Sequence, residues 1–418
     1  MDGLLTIVLA GGVGERLKPL TSQRAKSAVP FGGKFRIIDF ILSNCINSGA
    51  RHIYIFTQYK SESLHRHIQE GWGISGSGLG EYIYCIPAQQ RTGLDWYRGT
   101  ADAVRQNSYL VERSDTNHVL LLSGDHINKM NYLQMYRYHQ AKDADITISA
   151  IRVRKEEAAG SFGVLEVGEN LALIGFDEKP VQPKTIADAP DFCLVSMGIY
   201  MFKVSALREC LKSAGDDFGK EIIPKLIGKG FKILVYDYDK ENSISEFAYK
   251  VENGKRKRIL VDRTVDSSYW KDVGTIASYY EASMDLISVA PIFNLYGEKW
   301  PIRTYQRPLP PSKFIFGGRA MSSIISEGCI ISGARIWHSI LSPNVVVEQN
   351  SHVEQSIVFD DVIIEPNVNI RYTIIDKQAR VQAGASIGYD SNLDTQRGCF
   401  ISDSGIVVVP KGMDIAPA

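Results

Sequence analysis

No run of apolar residues in this 418-residue sequence is long enough to cross a bilayer, and the N-terminus lacks the basic region of a secretory signal. A cytoplasmic protein is predicted. An excess of charge of either sign is also missing, since 47 lysines and arginines face 47 aspartates and glutamates. Nothing in those totals calls for nucleic acid or an anionic membrane, so any anion site must be local. Cysteine is sparse: six residues, Cys45, Cys85, Cys193, Cys210, Cys329 and Cys399, form no C-x-x-C pair and no metal-ligand spacing. Reduced thiols are the expectation. Disorder finds no support either, because 44% of the residues are apolar and 22% charged. The length exceeds what one hydrophobic core supports, which argues for two domains.

The apolar, β-prone run Leu4–Ala10 ends abruptly in Gly11-Gly12, the pattern of a strand buried on both faces feeding a loop. Similar runs at 53–57, 119–123 and 146–153 are separated by enough chain for helical crossovers, so a mostly parallel α/β sheet is predicted, with ligands at the carboxyl ends of its strands. Prolines then crowd residues 291–314, at Pro291, Pro301, Pro308, Pro310 and Pro311, which excludes a long helix or a central strand and marks a linker. The division that results is 1–290, 291–314 and 315–418. In the last part β-branched residues recur in steps of six: Ile324, Ile330, Ile336; Leu341, Val347, Val353; Val362, Val368, Ile374. Such hexapeptide periodicity predicts a parallel β-helix, with loops or irregular coils where the phase slips between groups. A small antiparallel β-sandwich is the alternative.

After the first strand, Gly11, Gly12 and Gly14 let a backbone approach a polyphosphate, and Arg16 offers a planar fork to its oxygens. Two familiar nucleotide motifs fail. G-x-G-x-x-G would need glycine where Leu17 stands, and no G-x-x-x-x-G-K-[ST] occurs, which disfavours a dinucleotide oxidoreductase and a P-loop enzyme. Read together with Arg24-Ala25-Lys26-Ser27-Ala28-Val29-Pro30-Phe31-Gly32-Gly33-Lys34, and with Phe35-Arg36-Ile37-Ile38-Asp39-Phe40 and Leu42-Ser43-Asn44-Cys45 beyond it, the loop resembles the nucleotidyltransferase signature of bacterial ADP-glucose pyrophosphorylases, the glucose-1-phosphate adenylyltransferases. The resemblance extends through Trp300-Pro301-Ile302-Arg303-Thr304-Tyr305 and weakens after Ile401.

That resemblance implies an α/β fold: a nucleotide-diphosphosugar-transferase domain with a Rossmann-like mixed sheet, followed by a left-handed parallel β-helix. It implies Mg2+-dependent transfer from ATP to glucose 1-phosphate, giving ADP-glucose and pyrophosphate, for glycogen or α-glucan synthesis. By the resemblance Arg16 and Lys26 bind the triphosphate, Asp125 of the Gly124-Asp125-His126 segment and Asp272 hold the metal, and Gln89 reads the base. Tyr97, Gly163, Glu178, Lys179 and Ser196 line the glucose 1-phosphate pocket. The residue types suit these tasks. Mg2+ prefers hard oxygens at a strand end, and a carboxylate beside hydroxyl partners reads a sugar. Taken singly, a strand-end aspartate is more often a cap or turn residue, and Glu178-Lys179 an ordinary solvated pair. A phosphate dianion already attacks as a nucleophile, so His126 is given a structural role.

A homotetramer and a metabolite effector bound between the domains are further implications. Four positions depart from the family pattern: Ser27 replaces a proline that would constrain Lys26, Val13 replaces a basic residue, Asn128 an aromatic one, and Gln23 an activator-binding lysine. Three rival readings stay open: a non-catalytic regulatory paralogue, a transferase for another nucleotide or sugar, and a hexapeptide-repeat acyltransferase. The first would be marked by loss of Asp125, Lys179 or Asp272, all of which are present. The neutral amide of Gln23 predicts weak or absent activation by fructose 1,6-bisphosphate. A several-fold rise in rate on adding it at saturating substrate would contradict this.

Overall fold

The computed structural model describes residues 1, 3–73, 80–91, 95–252 and 254–418. Its first half is built on a nine-stranded sheet. The run Leu4–Ala10 is the strand predicted, and it pairs in parallel with His52–Thr57 on one side and His118–Ser123 on the other. Tyr82–Pro87 continues the parallel edge. Along the first strand, Leu4 and Val8 belong to the core on one face while Leu5 and Ile7 belong to the core on the other, so both faces are covered. The helix Ile37–Asn47 lies in the first of these layers, and Thr100–Gln106 and Val204–Lys212 in the second.

The expectation of a mostly parallel sheet is corrected at one long strand, Phe192–Lys203, which runs antiparallel to all three of its neighbours. The run Ile146–Arg154 pairs antiparallel with it and parallel with Ile233–Asp237. The sheet is therefore mixed. Apolar runs of this kind specify burial on both faces but carry no information about direction.

Among the described residues no helix or strand lies between Asp285 and Lys313. The chain there runs along the helix Ile37–Asn47: Trp300 Nε1 donates to Asn44 Oδ1 at 2.9 Å, the Arg303 N–H to Ser43 Oγ at 2.8 Å, and Thr304 Oγ1 to Asp39 Oδ2 at 2.7 Å. Side chains of the helix thus satisfy a segment that proline keeps out of regular structure.

Beyond it, three parallel sheets form the faces of a β-helix, in agreement with the left-handed form that the resemblance implies. Ile330 pairs with Val346, Val346 with Ile363 and Ile363 with Arg380, so a rung takes 16 or 17 residues. Three six-residue steps exceed that. The slip from Ile336 to Leu341 is such a shortened step and not the loop or irregular coil expected, while Val362 lies outside the column of Val353. The one true insertion carries the helix Ser391–Gln396, after which Arg380 pairs with Asp414. Inward columns are Ile331, Val347, Ile364, Val381 and Ile336, Val353, Ile370, Ile387, all buried. The six-step reading is corrected at Ile330, which faces outward and is 38% exposed, and at Ile374, whose column with Ile340 and Ile357 is buried against the first domain. Corners are turned at left-handed residues such as Asn344, Asn350, Asp361 and Asn367, with φ of 63°, 58°, 62° and 61°. Asn and Asp accept that conformation more readily than other non-glycine residues.

Candidate active site

The strand Phe192–Lys203 divides the sheet and so makes the cleft. Its second half, from Ile199 to Lys203, pairs with His118–Ser123, whereas Leu194 and Val195 pair with Leu165 and Val164. Between Ser123 and Gly163 the shared edge is spanned only by Ser196-Met197-Gly198. The opening is a cleft of about 670 Å³, a size that suits a small-molecule ligand.

At one end lies the glycine loop. Gly14 sits at φ +68°, and a Cβ there would come within 3.0 Å of Thr21 Cγ2 and 3.1 Å of Lys26 Cβ. Gly12 has open space around it, so its lack of a side chain leaves backbone facing the cleft. Lys26 begins a short 3-10 turn, Lys26–Ala28, and its Nζ lies 2.9 Å from both Asp125 Oδ2 and Asp272 Oδ1. Burial opposes a charge on this lysine, yet the two carboxylates outweigh burial and raise its pKa. Asp125 shows the converse. Burial pushes its pKa up, but Lys26, His126 and a hydrogen bond from Ser123 Oγ together hold it well below the usual carboxylate range. Arg16 reaches in from solvent, its Nη2 3.7 Å from Asp272 Oδ2.

The two aspartates come from distant stretches, and a small antiparallel ladder brings them together. His126–Asn128 pairs with Trp270–Asp272, with Asp272 opposite His126. Behind the ladder, the Tyr238 hydroxyl lies 2.9 Å from the carbonyls of both Lys129 and Tyr269, which share its one proton. Asn242 Nδ2 joins Lys129 to Ser267 in the same way. The wholly buried Lys129 ammonium is paired with Asp266 at 2.7 Å. Asn128 lies on this rear side too, accepting from Asn44 Nδ2 at its carbonyl and side chain, so its departure from the family pattern does not touch the cleft.

Ligand atoms of Asp125, His126 and Asp272 all lie within 4.8 Å of one another. Two carboxylates match a hard divalent cation, with His126 the weaker donor for such an ion. His126 Nε2 stands 3.6 Å from Asp125 Oδ1, and its ring meets the Trp270 ring edge-on at 5.1 Å.

At the other end, Gly163 faces Glu178 across an antiparallel pair, and a Cβ on Gly163 would meet Glu178 Oε2 and the Phe176 ring at 2.9 Å. Lys179 follows at φ +50° and is fixed by its N–H, which donates to the Phe162 carbonyl at 3.1 Å. Burial raises the Glu178 pKa; Lys179 counters this and Asp217 adds to it. Tyr97 is clamped at its backbone by Gln58, which accepts from its N–H at 2.6 Å and donates to its carbonyl at 3.2 Å.

Gly11, Gly12, Gly14, Arg16, Lys26, Tyr97, Asp125, Gly163, Glu178, Lys179, Ser196 and Asp272 thus line one cleft. Gln89 does not. It is exposed, beyond the edge strand Tyr82–Pro87, while Gln58, at the end of a strand next to the first, lines the cleft. Sequence reasoning also missed Asp217, which lines the cleft near Glu178. Asp217 caps a turn and accepts from Thr100 Oγ1 at 3.0 Å, and no motif announces it.

A strand-end glycine loop, two converging carboxylates and a basic pair describe a nucleotidyl transferase, and the chain belongs to that family, whose model it matches over residues 5–289. A GlmU-like C-terminal hexapeptide model matches residues 310–409. Within the family, its relatives are glucose-1-phosphate adenylyltransferases. Those of Rhodopirellula baltica and Koribacter versatilis are 44% and 45% identical, with 100% and 97% of this chain and 92% and 95% of theirs aligned. A glucose-1-phosphate adenylyltransferase 2 of Vibrio cholerae is 43% identical over 98% of both chains. Among the described residues no helix is long and apolar enough to cross a membrane.

The ladder predicts a stability effect away from the cleft. Lys129→Met leaves Asp266 buried without its counter-charge and should cost about 3–5 kcal/mol in urea unfolding. Adding Asp266→Leu should recover much of that loss, and a single variant as stable as the parent would contradict it.

Proposed function

We propose that this protein catalyses ATP + α-D-glucose 1-phosphate to ADP-glucose + pyrophosphate, with Mg2+ held by Asp125 and Asp272, for glycogen or α-glucan synthesis. The observation that carries this reading is the position of the Lys26 ammonium between those two aspartates, in a cleft whose far end holds Glu178 and Lys179. Mg2+ bound there supplies positive charge to the α-phosphate and the departing pyrophosphate.

Catalysis on this account is positioning and charge neutralisation, with no covalent enzyme intermediate. The backbone of Gly11 to Gly14 meets the triphosphate, and Arg16 and Lys26 offset the charge that gathers on pyrophosphate. Lys179 clamps the sugar phosphate, whose oxygen attacks the α-phosphorus in line. Glu178 and Ser196 take sugar hydroxyls, and Tyr97 closes over the phosphate. Gly163 is required at its place because any side chain would displace Glu178. Gln89 is kept as the reader of the base, and Gln58, whose amide holds the Tyr97 backbone, is a second amide, one that lines the cleft. Ser27 is buried beside Lys26, which is fixed by two ion pairs in its presence.

The same reading divides the chain at 1–290, 291–314 and 315–418, and assigns it a cytoplasmic homotetramer. It puts a metabolite effector between the domains. Supporting this, Arg36 and Lys377 lie close together at the contact between the two parts, where Asp360, 3.0 Å from Lys377, already offsets part of their charge.

Pyrophosphate release with glucose 1-phosphate and Mg2+ should be found with ATP and be far slower with UTP or dTTP. Asp125→Asn should abolish it. Lys179→Ala, losing a charge-assisted contact, should raise the KM for glucose 1-phosphate by about 10–100-fold with a smaller effect on that for ATP. Equal turnover with UTP, or an active Asp125→Asn variant, would overturn the assignment.

A further inference from the structure

We infer that Asp376, on the β-helix, is a positioning residue for Lys26 and acts through Arg24; this rests on the reading of Lys26 as the group that meets the triphosphate. The buried guanidinium of Arg24 reaches a residue 352 positions away in sequence: Nη1 donates to Asp376 Oδ2 at 3.0 Å, and Nη2 lies 2.9 Å from Oδ1. The two side chains are 5% and 2% exposed. Among the described residues Asp376 is the one carboxylate ion-paired with Arg24. Nη1 makes the hydrogen bond, and Nη2 adds a close ionic contact without one.

That anchor lies two residues before the catalytic lysine. Arg24 Nη1 also donates to the Leu20 carbonyl at 3.1 Å, which ties the side chain to the loop from which it comes. The Ala25 N–H donates to the Lys60 carbonyl at 3.1 Å, and the turn that carries Lys26 is closed by Ala28 N–H to Ala25 O and Val29 N–H to Lys26 O, both at 3.0 Å. Asp376 is itself fixed, since its N–H donates to the Val409 carbonyl at 3.0 Å, between β-helix rungs. A second contact grips the far side of the same segment, where the buried hydroxyl of Ser342 donates to the Gly33 carbonyl at 2.7 Å. The β-helix therefore holds both ends of residues 24–33. Neutralising Asp376 leaves a buried guanidinium without its counter-charge, and the backbone before Lys26 must shift for it to find another partner.

A positioning role differs from a merely structural one in how its loss combines with loss of Lys26. Asp376→Asn should lower kcat by about tenfold or more and leave the KM for glucose 1-phosphate unchanged. In a Lys26→Gln background the same substitution should cost nothing further, because its effect passes through the lysine. Hydrogen exchange gives a readout independent of turnover: the Ala28 and Val29 amides should exchange faster in Asp376→Asn, while those of the central sheet do not. Should that variant fail to fold, Arg24→Lys keeps the charge, loses the Nη1 bridge between the Leu20 carbonyl and Asp376, and is expected to behave alike. A lowered melting temperature with kcat unchanged, multiplied losses in the double variant, or unaltered exchange at 28 and 29 would each overturn the inference. Absence of ADP-glucose formation by the parent protein would instead sink the functional reading and leave the exchange experiment standing.

Discussion

Two carboxylates forced to share a small volume repel one another unless a cation lies between them, and the active-site end of this protein is organised around that constraint. Asp125 and Asp272 are close enough for one lysine ammonium to contact both at 2.9 Å. Lys26 resolves the repulsion, and the aspartates in turn keep the buried lysine charged. A polyanionic substrate brought to this point together with a divalent cation meets a site where charges of both signs are already arranged, so little reorganisation is left for the reaction itself.

The rest of the fold can be understood as holding that arrangement. The ladder between His126–Asn128 and Trp270–Asp272 sets the separation of the aspartates, and Lys129, Asp266, Tyr238 and Asn242 lock it from behind. Division of the sheet at Ser196-Met197-Gly198 opens the space in front. On the side of Lys26, the support comes from another domain, through Arg24 and the buried face of the β-helix. A repeat domain distant in sequence is thus packed against the segment that carries the lysine, with Ile340, Ile357 and Ile374 in the shared apolar layer.

Much of this was legible in the residues. Leu4–Ala10 announced a strand buried on both faces, and the segment from Arg24 to Lys34 behind the glycine loop carried the resemblance that implied nucleotidyl transfer. Strand direction was not legible, because burial on both faces makes parallel and antiparallel runs look alike; Phe192–Lys203 was invisible for this reason. The hexapeptide step was real, but rungs of 16 or 17 residues move it at each turn, and isoleucines occur both inside the helix and on its docking face. Ile330 and Ile374 were misread on that account. Asp217 shows a second limit: a lone carboxylate in a loop gains its meaning from the elements beside it, which only the tertiary structure supplies.

The most direct test of the central constraint is a Mn2+ titration, followed by electron paramagnetic resonance, in the presence of a non-hydrolysable ATP analogue. One cation per chain should bind, and Asp125→Asn and Asp272→Asn should each weaken it by about tenfold or more. Binding as tight as in the parent protein in either variant would show that the two aspartates do not hold the same ion, and would contradict the account.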